Sequence, residues 1–279
     1  MRTLRTVAEL RAHVSVRRGQ GRTIALVPTM GAFHAGHLEL MRAAAEACDY
    51  VVVSLFVNPS QFGEATDLAA YPRDEARDAA LATDADVGVL FAPPIEEVYP
   101  PGFATTVTVE GLGDVLEGAH RPGHFAGVAT VVTKLLSMVQ PDVALFGQKD
   151  AQQAALVRRL VRDLDLPVRI DVLPTVREPD GLALSSRNQR LAPEERERAL
   201  GISRGLRAAA ALDSSEPAAL EAAVRAELGG LEVEYVAVVD PDTFLPVAAV
   251  GGRCLVAVAA RAGAVRLIDN AILDKDPSP

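Results

Sequence analysis

Apolar positions fall into two rhythms along this chain. Short runs in which nearly every residue is apolar and β-prone, Thr23-Ile-Ala-Leu-Val-Pro28 and Tyr50-Val-Val-Val-Ser-Leu-Phe-Val57, flank a stretch with helical apolar spacing, Leu38–Cys48. The first rhythm predicts strands buried on both faces and the second an amphipathic helix, so together they form a βαβ unit. Further strands are predicted at Val87–Phe91, Val143–Phe146 and Val168–Val172, with helices near 73–83, 124–140 and 151–163. Leu4, Val7, Leu10 and Val14 recur at helical spacing and predict a packed first helix. Glu9 interrupts its Arg-rich run, against the reading of a transit peptide. Apolar strands alternating with helices imply an α/β fold with a doubly wound parallel sheet.

The texture changes after about residue 176. Helical stretches at 193–212 and 216–228 precede strands at Val233–Val239, Cys254–Ala259 and Val265–Ile268, which predicts a second, smaller α+β domain. The expected division is 1–175 and 176–279, with the break in Pro174–Gly181.

Composition narrows the possible roles. The 279 residues are 49% apolar, enough for a substantial core, and the formal charge of −9 opposes general affinity for nucleic acid. No run reaches the ~18 apolar residues of a membrane span, and the start lacks the apolar core of a signal peptide. A cytoplasmic protein without a membrane partner is expected. Cys48 and Cys254 have neither zinc-site spacing nor disulfide density, so both read as reduced core thiols. Only three lysines, Lys134, Lys149 and Lys275, stand among 25 arginines, which draws notice to each compact ammonium.

Four segments can carry chemistry. Pro28-Thr-Met-Gly-Ala-Phe-His-Ala-Gly-His37 lies between the first long strand and a helix expected to start near Leu38. That is the edge where parallel sheets bind ligands. Gly31 and Gly36 would allow close approach, and the helix N-terminus would offer N–H groups to phosphate. His34 and His37 can donate hydrogen bonds to phosphate oxygens, unless they only cap or pack the loop. Phe146-Gly-Gln-Lys-Asp150 also follows a strand, bringing Lys149 to that edge, while Asp150 and Gln153 have capping-box spacing. Asp180-Gly-Leu-Ala-Leu-Ser-Ser-Arg-Asn188 offers two hydroxyls and a guanidinium for phosphate. Phe56-Val-Asn-Pro-Ser-Gln-Phe62 places Asn58 and Gln61 beside the first segment, where they could bind a substrate or, for Asn58-Pro59, merely form a turn. Zinc is the rival reading of the pairs His34/His37 and His120/His124. Pro122 and Gly123 oppose a helical ligand pair at 120 and 124, and no protein-bound zinc is expected.

These segments, in this order, resemble the pantothenate synthetase family. Tyr71-Pro-Arg73, Arg121-Pro-Gly-His-Phe125 and Arg266-Leu-Ile-Asp-Asn270 extend the likeness over about Thr3 to Ile272. His34-Ala-Gly-His37 and Ser185-Ser-Arg187 separately resemble signatures of nucleotidylyltransferases and class I aminoacyl-tRNA synthetases. The resemblance implies a Rossmann-like ATP- and pantoate-binding domain and a C-terminal lid domain. It implies that Met30, Gly31, Ala32, Phe33, His34, Ala35, Gly36, His37, Gly147, Gln148, Lys149, Asp150, Val176, Leu184, Ser185, Ser186 and Arg187 line ATP. Of these, His37, His34, Lys149, Ser185, Ser186 and Arg187 would serve catalysis. Gln61 and Gln153 would hold pantoate, Gln61 also lying near β-alanine, with Asn58, Arg121 and His124 as lesser contributors. Leu184 replaces a usual methionine at nearly constant volume, and Ala126 stands where relatives often have arginine.

The implied reaction is AMP-forming ligation. Pantoate carboxylate attacks the α-phosphorus of ATP, giving pantoyl adenylate and pyrophosphate, and β-alanine then displaces AMP to form pantothenate. The first step needs no general base, because a carboxylate is already ionised at neutral pH; charge stabilisation by the cationic groups and Mg²⁺ is the protein's task. The second needs a neutral amine, and no residue is marked as its base. A homodimer is implied as well. Two rivals remain at this level: a nucleotidylyltransferase lacking use for Asn58, Gln61 and Gln153, and a nucleotide-binding regulatory module without turnover.

Overall fold

The computed structural model describes residues 1–63 and 65–275, without the side chains of 65–67. By internal packing the chain divides into two compact units. The first comprises Met1–Gly147 and Leu156–Leu173; the second comprises Gln148–Ala155 and the chain from Pro174.

In the first unit the described elements run β1 Arg2–Leu4, α1 Val7–Gly19, β2 Ile24–Thr29, α2 Ala35–Ala47, β3 Tyr50–Leu55, a 3-10 turn Pro59–Gln61, α3 Ala65–Ala70, α4 Glu75–Asp84, β4 Val89–Phe91, α5 Ile95–Val98, α6 Glu117–His120, α7 His124–Val139 and β5 Val143–Gly147. After α8, Ala151–Asp163, strand β6, Arg169–Leu173, completes it. The six strands are parallel in the order β1-β4-β3-β2-β5-β6. The chain steps outward from β2 to β3 and β4, then returns to the other side of β2 with β5. Strand order therefore reverses between β2 and β5, the position where open sheets bind ligands beyond their carboxyl ends.

The all-apolar strands are buried on both faces: Ile24, Ala25, Leu26 and Val27 are inaccessible to solvent. Val27, Val53, Leu145, Met41 and Ala44 belong to one cluster under α2. Two of the helix starts have a local cause in a side-chain cap. Thr6 accepts from the Glu9 backbone while Glu9 accepts from that of Thr6, closing a capping box on α1. Asp74 accepts from the Arg77 N–H at the start of α4.

Three expectations shift. Leu4 is not in the first helix but in β1, buried against β4; three residues are too few to show a strand rhythm. Helix α2 begins at Ala35 rather than near Leu38, so Gly36 and His37 belong to its first turn. Gln148–Ala155, expected with the first domain, packs with the second unit because Asn270 bonds the backbone of Gln148 and Lys149.

The second unit adds a 3-10 turn Gln148–Asp150, another at Ser186–Arg190, helices α9 Pro193–Ala211 and α10 Pro217–Glu227, and strands β7 Glu232–Val239, β8 Gly252–Ala262 and β9 Val265–Lys275. The strands form an antiparallel β7-β8-β9 sheet. Ile202, Leu206, Leu220 and Val224 of the helices share a core with Val236, Val256 and Val258. Strand β9 extends well past the expected Ile268 because its polar residues find partners: Asp269 receives both Arg177 terminal nitrogens, at 2.6 and 3.1 Å.

Candidate active site

The loop leaving β2 is built around hydrogen bonds that the sequence pattern did not announce. Thr29 Oγ1 donates to the Ser54 carbonyl at 2.6 Å and accepts from the Gly31 N–H at 3.3 Å. Gly31 and Ala32 both take positive φ, +87° and +53°. The N–H groups of Ala32 and Phe33 then meet the Asp78 carboxylate at 2.7 and 2.8 Å. These two amides are engaged by the protein itself, and the Phe33 ring is buried in the core.

His34 follows as the N-cap of α2, with its Nδ1 accepting from the Gly36 N–H at 3.2 Å. The His34 N–H donates to Nδ1 of His37 at 3.3 Å. A backbone N–H can only donate, so both Nδ1 atoms are acceptors and each neutral ring carries its proton on Nε2. The rings lie 4.1 Å apart between centroids. Both histidines cap the helix, and that capping fixes the tautomer in which Nε2–H can donate to an oxyanion.

Gln61 sits in a second network of the same unit. Asn58 Oδ1 accepts from the Ser60 N–H and hydroxyl, at 3.3 and 2.8 Å, and from the Tyr99 hydroxyl at 2.8 Å. Its Nδ2 donates to the Gly127 carbonyl at 3.1 Å and to Gln61 Oε1 at 3.0 Å. With its oxygen occupied, Gln61 offers its Nε2, which lies 3.1 Å from the Met30 sulfur. Burial pushes the Tyr99 phenol above its usual pKa, keeping the proton it donates to Asn58. Asn58 thus forms the turn and orients Gln61, with its own amide used inside the protein.

Arg121 and His124 hold the same turn from its backbone. His124 Nδ1 donates to the Gln61 carbonyl at 2.8 Å, and Arg121 reaches that carbonyl at 3.4 Å and His124 Nε2 at 3.2 Å. Buried Glu117 lies 3.9 Å from the Arg121 guanidinium. His120 ends α6 and His124 begins α7 after Gly123 at φ +80°, so the two do not share a helix. Among the described residues no group of three or more His, Cys, Asp or Glu could hold a metal ion.

In the second unit, Lys149 is half-buried beside Asp150, 3.9 Å away. Its turn is held by Asn270, whose Nδ2 donates to the carbonyls of Gln148 and Lys149 at 2.9 and 3.0 Å. The Gln148 side chain in turn donates to Asn270 Oδ1 at 3.0 Å. Gln153 lies in the first turn of α8. Leu184 N–H donates to the Val176 carbonyl at 2.9 Å, pinching the intervening loop at its base. Ser185 Oγ accepts from the Arg187 N–H at 3.3 Å, which leaves its hydroxyl proton as a donor. Asn188 is buried and bonded to Glu178 and the Ala183 carbonyl.

The family model described as pantoate-beta-alanine ligase matches residues 2–272. This chain belongs to that family. The pantothenate synthetase of Moorella thermoacetica is 51% identical over 98% of this chain and 99% of its own. A crystal structure of pantothenate synthetase from Thermus thermophilus matches with a TM-score of 0.92 at 48% identity, covering 97% of this chain and 99% of that one. The pantoate-beta-alanine ligase of Francisella tularensis, in a crystal structure complexed with beta-gamma ATP and beta-alanine, matches with a TM-score of 0.80 at 35% identity, covering 98% and 97%. The expected family and Rossmann-like α/β fold are both met.

Four residues that hold the candidate groups in place are not singled out by the sequence: Asp78, Tyr99, Glu117 and Asn270. Asp78 occupies an ordinary polar position on a helix, and Asn270 was noticed only as part of a terminal motif. Nothing in local spacing signals their partners.

Proposed function

We infer that this chain catalyses the ATP-dependent condensation of (R)-pantoate with β-alanine, giving pantothenate, AMP and pyrophosphate through pantoyl adenylate. The observation that carries this reading within the fold is the pairing, in one unit, of two Nε2–H donors at the start of α2 with a buried, oriented glutamine amide. The first feature suits a phosphoryl centre and the second a neutral polar substrate group.

In the first step the pantoate carboxylate oxygen bonds to the α-phosphorus as the bond to the pyrophosphate bridge oxygen breaks. His34 and His37 donate from Nε2 to oxygens on which charge grows, and the N-terminus of α2 adds its dipole. Lys149, Ser185, Ser186 and Arg187 are assigned to phosphate charge as well, and Mg²⁺ enters as part of the nucleotide substrate. Gln61, oriented by Asn58 and anchored by His124 and Arg121, and Gln153 are assigned to pantoate. In the second step the β-alanine nitrogen attacks the acyl carbon and AMP leaves through the acyl–oxygen bond.

A homodimer and a cytoplasmic location complete the proposal. Residues 103–110, Phe-Ala-Thr-Thr-Val-Thr-Val-Glu, are β-prone and largely exposed outside any strand, an edge that a second copy would cover. No described helix is long and apolar enough to cross a membrane. The decisive measurement is AMP release from MgATP. It should require both pantoate and β-alanine; release with a phosphorylated acceptor in place of pantoate would sink the assignment. Sedimentation of the purified protein tests the dimer.

A further inference from the structure

The loop between β2 and α2 has the shape of an anion cradle whose floor is already filled. Two consecutive residues with positive φ, Gly31 and Ala32, turn the N–H groups of Ala32 and Phe33 toward a common point. That point is occupied by the carboxylate of Asp78, which accepts one N–H on each oxygen and is 1% exposed. The fit is close, since a Cβ on Gly31 would stand 3.0 Å from Asp78 Oδ2. Arg77 supplies a cation at 3.8 Å. A buried carboxylate is tolerated only when such charge-assisted bonds replace its hydration, so the loop and the carboxylate hold each other.

The consequence runs along the chain. Phe33 is locked into the core, and His34 directly after it becomes the cap of α2. An Asp78 oxygen on the Phe33 N–H therefore sets where the two imidazoles begin. A phosphate cannot take the same two N–H groups, so it is directed to the end of α2 and the Nε2–H donors.

We propose that Asp78 is a positioning residue: an internal anion that holds residues 31–34 in their working shape before ATP arrives and keeps phosphate out of that cradle. It acts through the loop on His34 and His37, not by touching the nucleotide. Its kinetic side rests on the function proposed above; its structural side does not.

The test compares the full-length protein with Asp78→Asn and Asp78→Ala, using amide hydrogen exchange at Ala32 and Phe33 with and without MgATP. In the unsubstituted protein both amides should exchange slowly and MgATP should barely change them. Asp78→Ala should lose that protection by about a hundredfold without nucleotide, and Asp78→Asn, which keeps one acceptor oxygen, should lose it mainly at one amide. In AMP-release kinetics the KM for ATP should rise about tenfold in Asp78→Ala while that for pantoate changes less than about twofold. Should Asp78→Ala fail to fold, the isosteric Asp78→Asn carries the same comparison. Amides that exchange rapidly until MgATP is added to the unsubstituted protein would overturn the proposal. So would a folded variant with unchanged KM for ATP, or equal rises for both substrates, the mark of general loosening. If the unsubstituted protein releases no AMP, the functional reading fails and the exchange comparison alone decides on Asp78.

Discussion

The backbone N–H of His34 and Nδ1 of His37 are hydrogen-bonded at 3.3 Å, so one catalytic candidate fixes the tautomer of the other. If Nε2–H is the working donor, a side chain that keeps a donor there should outperform one that keeps it at Nδ1. Glutamine places its amide nitrogen near Nε2 of histidine, and asparagine near Nδ1. We expect His37→Gln to retain more kcat than His37→Asn, with His37→Ala reduced by about 10²- to 10³-fold. Steady-state kinetics on the three variants gives the ranking, and a better asparagine variant would refute the tautomer.

Asn58 should matter through Gln61. Asn58→Asp still accepts from Ser60 and Tyr99, but it turns oxygen toward Gln61 Oε1 and the Gly127 carbonyl, where the amide now donates. The KM for pantoate is predicted to rise about tenfold or more, with that for ATP little changed. An unaltered KM for pantoate would remove Asn58 from the orientation of Gln61.

Gly127 allows α7 to meet the 59–61 turn. A Cβ there would lie 2.3 Å from the Ser60 carbonyl oxygen and 2.7 Å from the Gln61 nitrogen, both backbone atoms that cannot swing away. Gly127→Ala is predicted to lower the melting temperature by roughly 3–10 °C and to weaken pantoate before ATP. Thermal melts and the two KM values measure this.

Asn270 is predicted to act through the Lys149 turn. Asn270→Ala removes two donors from the Gln148 and Lys149 carbonyls. A drop in kcat of about tenfold is expected with secondary structure intact by circular dichroism. Full activity in the folded variant would show that the turn holds its shape without this support.

His13 supplies a pH dependence away from the chemistry. Burial, then the charges of Arg17 and Arg2, lower its pKa in the folded protein, and its Nε2 lies 2.7 Å from the Tyr50 hydroxyl. Below the ordinary histidine pKa of about 6.5 the unfolded chain binds a proton that the fold resists. Stability from neutral His13 is therefore present above that pH and is lost as pH falls toward the depressed folded value. The melting temperature should fall less between pH 7.5 and 5.5 in His13→Gln than in the unsubstituted protein; parallel curves would contradict this.

Much of this molecule is local and was readable as such. The helix expected at 151–163 is α8, and the strands expected at Val143–Phe146 and Val233–Val239 are β5 and β7 with one more residue at one end. Burial on one face or both leaves a period in the sequence, and that period is intrinsic to helix or strand. Leu4 and the far half of β9 escape for the converse reason: one element is too short for a period, and the other carries Asp269 and Asn270, whose polarity hides a strand until partners are known.

The sequence by itself determined the alternation of strands and helices and the supply of imidazole, amide, ammonium and hydroxyl groups after particular strands. The tertiary structure decided which polar groups the protein keeps for its own bonding. Ala32 meets Asp78 across 46 positions, and Gln148 meets Asn270 across 122. Hydrogen bonds of that span have no periodicity to reveal them. A carboxylate on a helix reads as solvated surface until the fold brings two backbone N–H groups to it, and whether an amide serves substrate or scaffold depends on which oxygen is already taken.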